Sequence, residues 1–216
     1  MTTDTLHTSS VRRFERVSSR KFLLWLAIVS IVMLFAGLTS AYMVRQGEGK
    51  WVKFDLPNLF MVSTAMIILS SVTLQGALIS VKKNNTARMN QMLWLTALLG
   101  CGFVLFQYLA WKQLVDGGIY FVGSVKDINM KYEYIKAGAE NPADVANVAG
   151  SFLYALTGLH AAHVFTGLIA LCVVLSQAVK KKYSADNYEG IGVFAAYWHF
   201  LDGLWIYLYL FLIFIR

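Results

Sequence analysis

The chain has 216 residues, of which 57% are hydrophobic and 14% are charged, and its mean hydropathy is +0.55. These values exclude an ordinary water-soluble domain and predict an integral membrane protein. The formal charge of +7 does not require a nucleic-acid partner, because basic loops on the cytoplasmic side of a membrane protein account for it. Cys101 and Cys172 both lie in apolar runs, which argues against a disulfide, a CxxC redox pair or a cysteine-rich metal site.

Five apolar stretches have the length of membrane-spanning helices, whereas the strands of a membrane barrel alternate and are about half as long. The pattern therefore predicts an all-α, polytopic membrane bundle. Residues 1–21 form a polar, basic tail, and residues 22–216 form a single membrane domain. The predicted spans cover residues 22–44, 59–81, 92–111, 150–179 and 192–215.

The basic residues predict how the chain is oriented. Eleven Lys and Arg residues lie in the tail and in the short loops after spans two and four, and the other eight lie in longer or acid-balanced segments. Short basic loops stay in the cytoplasm, so we expect a cytoplasmic N-terminus and a C-terminus outside it. The longest connection, residues 112–149, should be a partly ordered outer loop with room for a short helix, and it is long enough to be functional or covered by a partner.

Hydroxyl side chains mark span two, and a glutamine marks span three. We expect the hydroxyl groups to bond neighbouring helices or their own backbone. The residues concerned are Ser63, Thr64, Ser70, Ser71 and Thr73. Gln107 of span three lies deep enough in the membrane to need a hydrogen-bonding partner.

Span four carries two histidines beside a stripe of small residues. His160 and His163 are three residues apart, so they lie on one side of the helix. The small residues recur every four positions, which lets a second helix approach closely. They are Gly158, Ala162, Thr166 and Ala170. We expect this stripe to pack against a helix of this chain or of a partner.

Span five contains the sequence YWHFLDGLWIYLY, residues 197–209, with the only acidic residue within any predicted span, Asp202. His199 lies three residues before it and therefore on the same face. Since an unpaired acid in hydrocarbon is costly, we expect Asp202 to be buried and hydrogen-bonded to His199 or to a histidine of span four. Either a structural pair or a direct chemical role is compatible with this pattern.

The three membrane histidines could in principle ligate haem or copper, but His160 and His163 share a helix, and haem usually requires ligands from different helices or one ligand and an open position. Histidines that bond Asp202, Gln107 or the backbone are the favoured interpretation. The spans contain no nucleophile–base constellation, phosphate loop, HExxH motif or carboxylate pair. The sequence therefore does not favour an enzyme that acts alone. It also lacks the internal repeat that is typical of many transporters.

Two motifs carry a family resemblance. The run TGLHAAHVFTG, residues 157–167, resembles the TGxHxxHVxxG signature of haem–copper oxidase subunit III, and residues 197–209 resemble that family's YWHFxDxxWxxLY signature. Phe35-Ala36-Gly37 with Tyr42 and the position of Gln107 are also similar to the family pattern. The resemblance covers all five spans and matches the five-span bacterial form rather than the seven-span mitochondrial one.

The resemblance implies an accessory, non-redox subunit of a bacterial terminal oxidase, with no cofactor of its own and with haem and copper on partner subunits. Subunit I would be the main contact, with subunit II, phospholipids and a larger respiratory supercomplex as further partners. The expected role is to support assembly, lipid binding and sustained proton uptake in the bacterial inner membrane. The expected polar and packing core consists of Gln107, His160, His163, Trp198, His199 and Asp202. Where the family often has a buried membrane glutamate, this chain reads Ser30-Ile31-Val32.

Three alternatives remain open. A subunit III-like protein of a nitric oxide reductase system shares the five-span core, a small haem-b cytochrome would use the histidines, and a transporter would use the bundle itself. A Soret band from the isolated chain would favour the cytochrome, and the identity of copurifying subunits would separate the oxidase from the reductase.

Overall fold

The computed structural model describes residues 19–48, 51–53, 55–117, 119–121, 133–135, 148–185 and 187–215. Most of the predicted tail and most of the 112–149 connection lie outside these ranges. The helices are α1 (Ser19–Gly47), α2 (Leu59–Lys82), α3 (Thr86–Asp116), α4 (Val148–Val179) and α5 (Glu189–Phe214). All five contain a stretch long and apolar enough to cross a bilayer, so the predicted all-α membrane class is confirmed.

The helices extend beyond the apolar stretches that identify them. α3 has 31 residues, or about 46 Å at 1.5 Å per residue, against about 30 Å of hydrocarbon in a bilayer. Its start is set by a polar cap, because the Asn85 side chain accepts a hydrogen bond from the Arg88 backbone N–H at 3.0 Å. Hydropathy locates the membrane-embedded part of a helix, whereas capping residues decide where it begins.

The helices α2, α3, α4 and α5 form a ring in which each packs on the next and α5 packs back on α2. α1 lies outside this ring, against α4 and α5. The α2–α3 turn passes through Asn84, whose φ is 55°. The Asn84 side chain accepts a hydrogen bond from the Ala185 N–H at 2.9 Å, which ties this turn to the α4–α5 loop at the same end of the bundle.

At the opposite end, two short strands close the bundle. β1 (Trp51–Lys53) pairs antiparallel with β2 (Glu133–Ile135), with Trp51 opposite Ile135. Apart from the ends of α3 and α4, which extend into the long connection, its described part contributes a strand and no separate helix. A two-stranded ribbon of this size is marginal alone, so its anchor is the Trp51 ring, which is 2% exposed and lies 4.6 Å from the Tyr42 ring. The Tyr42 ring also packs edge-on against Phe211 at 5.1 Å, which joins α1, β1 and α5.

Two glycines make room for the buried Trp198 indole in the ring of helices. A Cβ on Gly100 would lie 3.0 Å from the Trp198 ring and from Leu168, and one on Gly167 would lie 3.1 Å from an adjoining edge of the same six-membered ring. The indole is fixed as well by a hydrogen bond from Nε1 to the Ser70 hydroxyl at 3.0 Å. The indole is therefore held at Nε1 and in close contact with both glycines at its six-membered ring.

We expect Gly100→Val to lower the free energy of unfolding of the purified chain in detergent by about 1–2 kcal/mol, because the added methyl groups overfill a site that has no slack. Gly158→Val is the matched control, since no atom lies within 4 Å of a Cβ at that helical glycine. Thermal unfolding of both variants measures the difference. Equal stability of the two would show that the indole is not confined as described.

Candidate functional site

The α5 motif meets α2 through a series of hydrogen bonds from ring nitrogens to hydroxyl groups. Trp198 Nε1 donates to Ser70 Oγ, and Trp205 Nε1 donates to Thr64 Oγ1 at 2.9 Å. Both hydroxyl groups also donate to their own helix backbone, Ser70 to the Ile67 carbonyl and Thr64 to the Phe60 carbonyl, each at 2.7 Å. The expectation that span-two hydroxyls bond neighbouring helices or their own backbone is confirmed. The role of Trp205 was not predicted, although a buried indole N–H regularly needs an acceptor.

His199 is the next member of this series. Its ring is half-buried, and its Nδ1 lies 2.5 Å from the Ser71 hydroxyl of α2. Side chains on a helix lean toward its N-terminus, so the imidazole leans away from the turn that carries Asp202. The nearest partner is therefore on α2 rather than on α5.

Asp202 is buried as predicted, with 4% of its surface exposed. The predicted hydrogen bond to a histidine is wrong: neither carboxyl oxygen has a hydrogen-bond partner among the described residues. The Ser71 hydroxyl lies beside the carboxyl, but it is engaged with His199 and does not reach hydrogen-bonding geometry with Asp202. Sequence spacing places two residues on one face, and the rotation of their side chains decides whether they bond.

His160 lies in an aromatic cage at the centre of the bundle. It is fully buried, and its ring is 5.0 Å from the Trp205 ring and 5.9 Å, edge-on, from the Phe103 ring. Neither ring nitrogen has a hydrogen-bond partner among the described residues. The prediction that His160 belongs to the core holds for its burial, but its described contacts are with aromatic rings rather than with polar groups.

Gln107 is 1% exposed, and its amide likewise has no hydrogen-bond partner within the described ranges. It lies between Phe103 and Trp111 on α3. Phe103 contacts His160, and Trp111 donates from Nε1 to Thr157 Oγ1 at 3.1 Å. Gln107 therefore faces α4 at the height between Thr157 and His160. Gln107 and His160, both without a described hydrogen bond, thus lie at neighbouring levels of the α3–α4 interface.

His163 stands apart from the other histidines. It is only half-buried, its Nδ1 donates to the Leu159 carbonyl at 2.7 Å, and its ring lies 5.9 Å from the Phe35 ring of α1. The three membrane histidines thus face three different directions: His160 the interior, His163 α1 and His199 α2. No described group of three or more His, Cys, Asp and Glu side chains is arranged to hold a metal ion.

The small-residue stripe of α4 is not covered by another described helix. A Cβ on Gly158 would have open space around it, Ala162 and Thr166 are exposed, and Ala170 is half-buried. Thr166 Oγ1 lies 3.2 Å from the Tyr197 hydroxyl at the edge of α5. The stripe was expected to pack against a helix of this chain or of a partner. The described helices of this chain do not cover it.

Comparison with known proteins places both motifs in one family model. The model described as cytochrome c oxidase subunit III matches residues 118–215, which include α4 and α5. The matched segment therefore contains the histidine pair of α4 and the Trp198, His199 and Asp202 positions of α5.

Curated relatives match over a larger share of the chain. "Cytochrome c oxidase subunit 3" of Thermostichus vulcanus is 27% identical over 190 residues, covering 84% of this chain and 80% of the relative. The protein of the same name from Corynebacterium diphtheriae is 29% identical over 193 residues, covering 86% and 82%. That of Drosophila yakuba is 31% identical over 160 residues, covering 74% of this chain but only 51% of the relative. The similarity to the two bacterial proteins extends over most of both chains.

Proposed function

Because the chain belongs to the cytochrome c oxidase subunit III family, we propose that it is the accessory, non-redox subunit III of a bacterial haem–copper terminal oxidase. In this proposal subunits I and II hold the haem and copper, reduce oxygen to water and pump protons. The present chain supports their assembly, binds phospholipids and sustains proton uptake by subunit I. Membership of a larger respiratory supercomplex is compatible with this role.

One observation carries the proposal: the motif residues of α5 are used to hold helices together. Trp198, His199 and Trp205 each direct a ring nitrogen at a hydroxyl group of α2. Such contacts fix the relative position of helices. These three contacts supply no nucleophile, electron carrier or open ligand position. They therefore support a role in which the subunit acts by binding its neighbours.

The haem-b cytochrome is less well supported by the same geometry. A bis-histidine haem needs two imidazoles that face each other from different helices. His160 is enclosed by Phe103 and Trp205, and His199 is bonded to Ser71 on the α2 side of α5. The described histidines therefore do not form a facing pair.

The location that we propose is the bacterial inner membrane, with the N-terminus in the cytoplasm. The α2–α3 turn and the α4–α5 loop, which lie at one end of the bundle, both carry exposed basic residues. They are Lys82, Lys83, Arg88, Lys180, Lys181 and Lys182. Their position at one end supports the orientation expected from retention of positive charge in the cytoplasm.

A fusion test checks this topology. We expect alkaline phosphatase joined after Arg216 to be active, because that enzyme folds only outside the cytoplasm, and green fluorescent protein at the same place to be dark. The same reporters in the α2–α3 turn should show the opposite behaviour. A fluorescent and phosphatase-inactive C-terminal fusion would reverse the orientation.

The accessory role predicts a particular time course of oxygen consumption. In membranes from a strain without this chain, we expect the remaining oxidase to start at close to the parental rate, because the redox centres lie in other subunits. Activity should then decay several-fold faster during turnover, and expression of the parent chain should restore its lifetime. An assembled oxidase with no initial activity would indicate direct chemistry by this chain, and an unchanged decay would remove the proposed supporting role.

A further inference from the structure

Two buried polar side chains at the α3–α4 interface have no hydrogen-bond partner among the described residues. They are Gln107 and His160, and the atoms concerned are both polar atoms of the Gln107 amide and both ring nitrogens of His160. An unsatisfied polar group inside a protein costs free energy, and buried polar groups in native structures nearly always have a protein or water partner. The interface therefore contains donors and acceptors that the described side chains leave unused.

Contacts between α3 and α4 place these two side chains at one level of the bundle. Phe103, one turn before Gln107 on α3, lies 5.9 Å from the His160 ring. Trp111, one turn after Gln107, donates a hydrogen bond to Thr157, which is one turn before His160 on α4. The Gln107 amide and the His160 imidazole therefore meet the same part of the interface from opposite helices.

A third buried polar side chain, Ser63 of α2, lies at the same level. Trp205 of α5 connects the helices there, because its Nε1 bonds Thr64, the residue after Ser63, and its ring lies 5.0 Å from His160. Ser63 is fully buried, and its hydroxyl donates to the Phe60 carbonyl at 2.9 Å. A hydroxyl oxygen that donates its proton can still accept a hydrogen bond, so Ser63 offers an acceptor at this level.

The aromatic rings limit how His160 can reach a partner. Trp205 covers the imidazole with an angle of 32° between the ring planes, and Phe103 meets it edge-on. The imidazole cannot tilt far toward Gln107 without losing these contacts. A small ligand that both donates and accepts hydrogen bonds can bridge the two side chains without such a movement.

The surroundings determine which ligand fits between these side chains. Gln107 and His160 are enclosed by the bundle, which excludes a lipid or a helix of a partner, and the buried residues Ser63, Ala110 and Thr157 keep the neighbouring side chains small. No described group of His, Cys, Asp and Glu is arranged to hold a metal ion. An amide and a neutral imidazole each carry a donor and an acceptor, so the ligand must match both, as water does.

We propose that the bundle binds an internal water molecule between Gln107 and His160, with the Ser63 hydroxyl as its third partner. Three hydrogen bonds are typical of a buried water molecule in a protein. The water joins α3 to α4 and to the inner side of α2, at the level where Trp205 joins α5 to the same helices. This inference is independent of the proposed function, because it concerns only the interior of this chain.

Nuclear magnetic resonance of the full-length, 15N-labelled chain in detergent tests this site directly. Dipolar transfer of magnetisation from water to a side-chain N–H occurs only at short range, and in the rotating frame its sign differs from that of chemical exchange. The N–H groups to compare are those of Gln107, His160 and Trp198. The Trp198 indole is the internal control, because it is equally buried but donates to the Ser70 hydroxyl.

We expect dipolar transfer from water to the Gln107 amide and to the His160 ring, and none to Trp198. Gln107→Leu should remove most of the transfer to His160, because the water loses one of its partners. Gln113→Leu is the matched control, since Gln113 lies on the same helix and is exposed, and it should leave the transfer to His160 at the parental strength.

Three results would overturn the water site. The first is an absence of transfer to both Gln107 and His160 in the parent chain, and the second is unchanged transfer to His160 in Gln107→Leu. The third is equal transfer to Trp198, which would show that water enters the whole bundle rather than binding at one place. If Gln107→Leu does not fold, the comparison of the three N–H groups in the parent chain still decides the question.

Discussion

Replacement of Trp205 by alanine is expected to lower the free energy of unfolding of the purified chain by about 3 kcal/mol. The residue is fully buried, its ring packs at 5.0 Å on His160, at 5.1 Å on Phe103 and at 6.1 Å on Phe60, and its Nε1 bonds Thr64. This loss in the free energy of unfolding should lie at the low end of the range for Trp→Ala. The reason is that detergent rather than water surrounds the side chain after unfolding, so that only the packing contacts and the cavity contribute.

Trp94→Ala is the control for this prediction, because Trp94 lies on α3 with 60% of its surface exposed. Chemical or thermal unfolding in the same detergent should separate the two variants clearly. Trp205→Phe should fall between them, since the ring contacts largely remain while the bond to Thr64 is lost. A Trp205→Ala chain as stable as the Trp94→Ala chain would mean that the aromatic cage around His160 does not hold the bundle together.

The second large effect that we expect is an increase in stability. Asp202→Leu should raise the free energy of unfolding of the separated chain by about 1–3 kcal/mol, because the leucine has a similar shape and removes a buried carboxyl that has no described hydrogen bond to lose. The Ser71 hydroxyl keeps His199 as its partner in this variant. Sequence spacing alone, which pairs Asp202 with His199, leads to the opposite expectation of a loss.

The same Asp202→Leu chain should retain the parental amount of the haem-containing subunit, because both carboxyl oxygens are enclosed within this chain and offer no surface to a partner. Asp202→Asn, which keeps an acceptor oxygen and the shape of the side chain, is the control and should assemble nearly normally. If Asp202→Leu is less stable than the parent as a separated chain, then Asp202 has a partner inside the subunit, and the unpartnered arrangement described above is incorrect.

The sequence predicted the five helices and the burial of the central polar residues for clear physical reasons. Backbone in hydrocarbon must satisfy its hydrogen bonds within the segment, so a long apolar stretch is a helix. Asp202, Gln107 and His160 are too polar to face lipid, and all three are buried. These conclusions depend only on the type of residue and its depth.

The partners of these residues could not be predicted, because they depend on how each helix is rotated against its neighbours. The i, i+3 spacing suggested that His199 bonds Asp202, whereas the structure brings Ser71 of α2 to the imidazole. His163 shares a face with His160 in the sequence but lies at the edge of the bundle near Phe35. A signal for the α2–α5 pairing was present in the hydroxyl residues at positions 64 and 71, one heptad apart, although it did not identify the ring nitrogens that they meet.

The ribbon of β1 and β2 was also not predicted. Each strand has three residues, too few for a recognisable alternation of polar and apolar side chains. Its position is fixed by the contacts of Trp51 with Tyr42 at the end of α1 and with Phe152, which lies in a distant part of the chain. A single tryptophan between two spans is typical of the membrane interface and does not predict a strand.

Purification of the tagged chain from its native membranes, with absorption spectra and subunit identification on the same sample, shows whether the chain is a non-redox subunit of a haem–copper oxidase. We expect haem-containing subunit I and subunit II to copurify in a one-to-one ratio with this chain, and all haem and copper to remain with them when this chain is separated. A separated chain that keeps a Soret band, or a purified chain that brings down no haem–copper subunit, would contradict it.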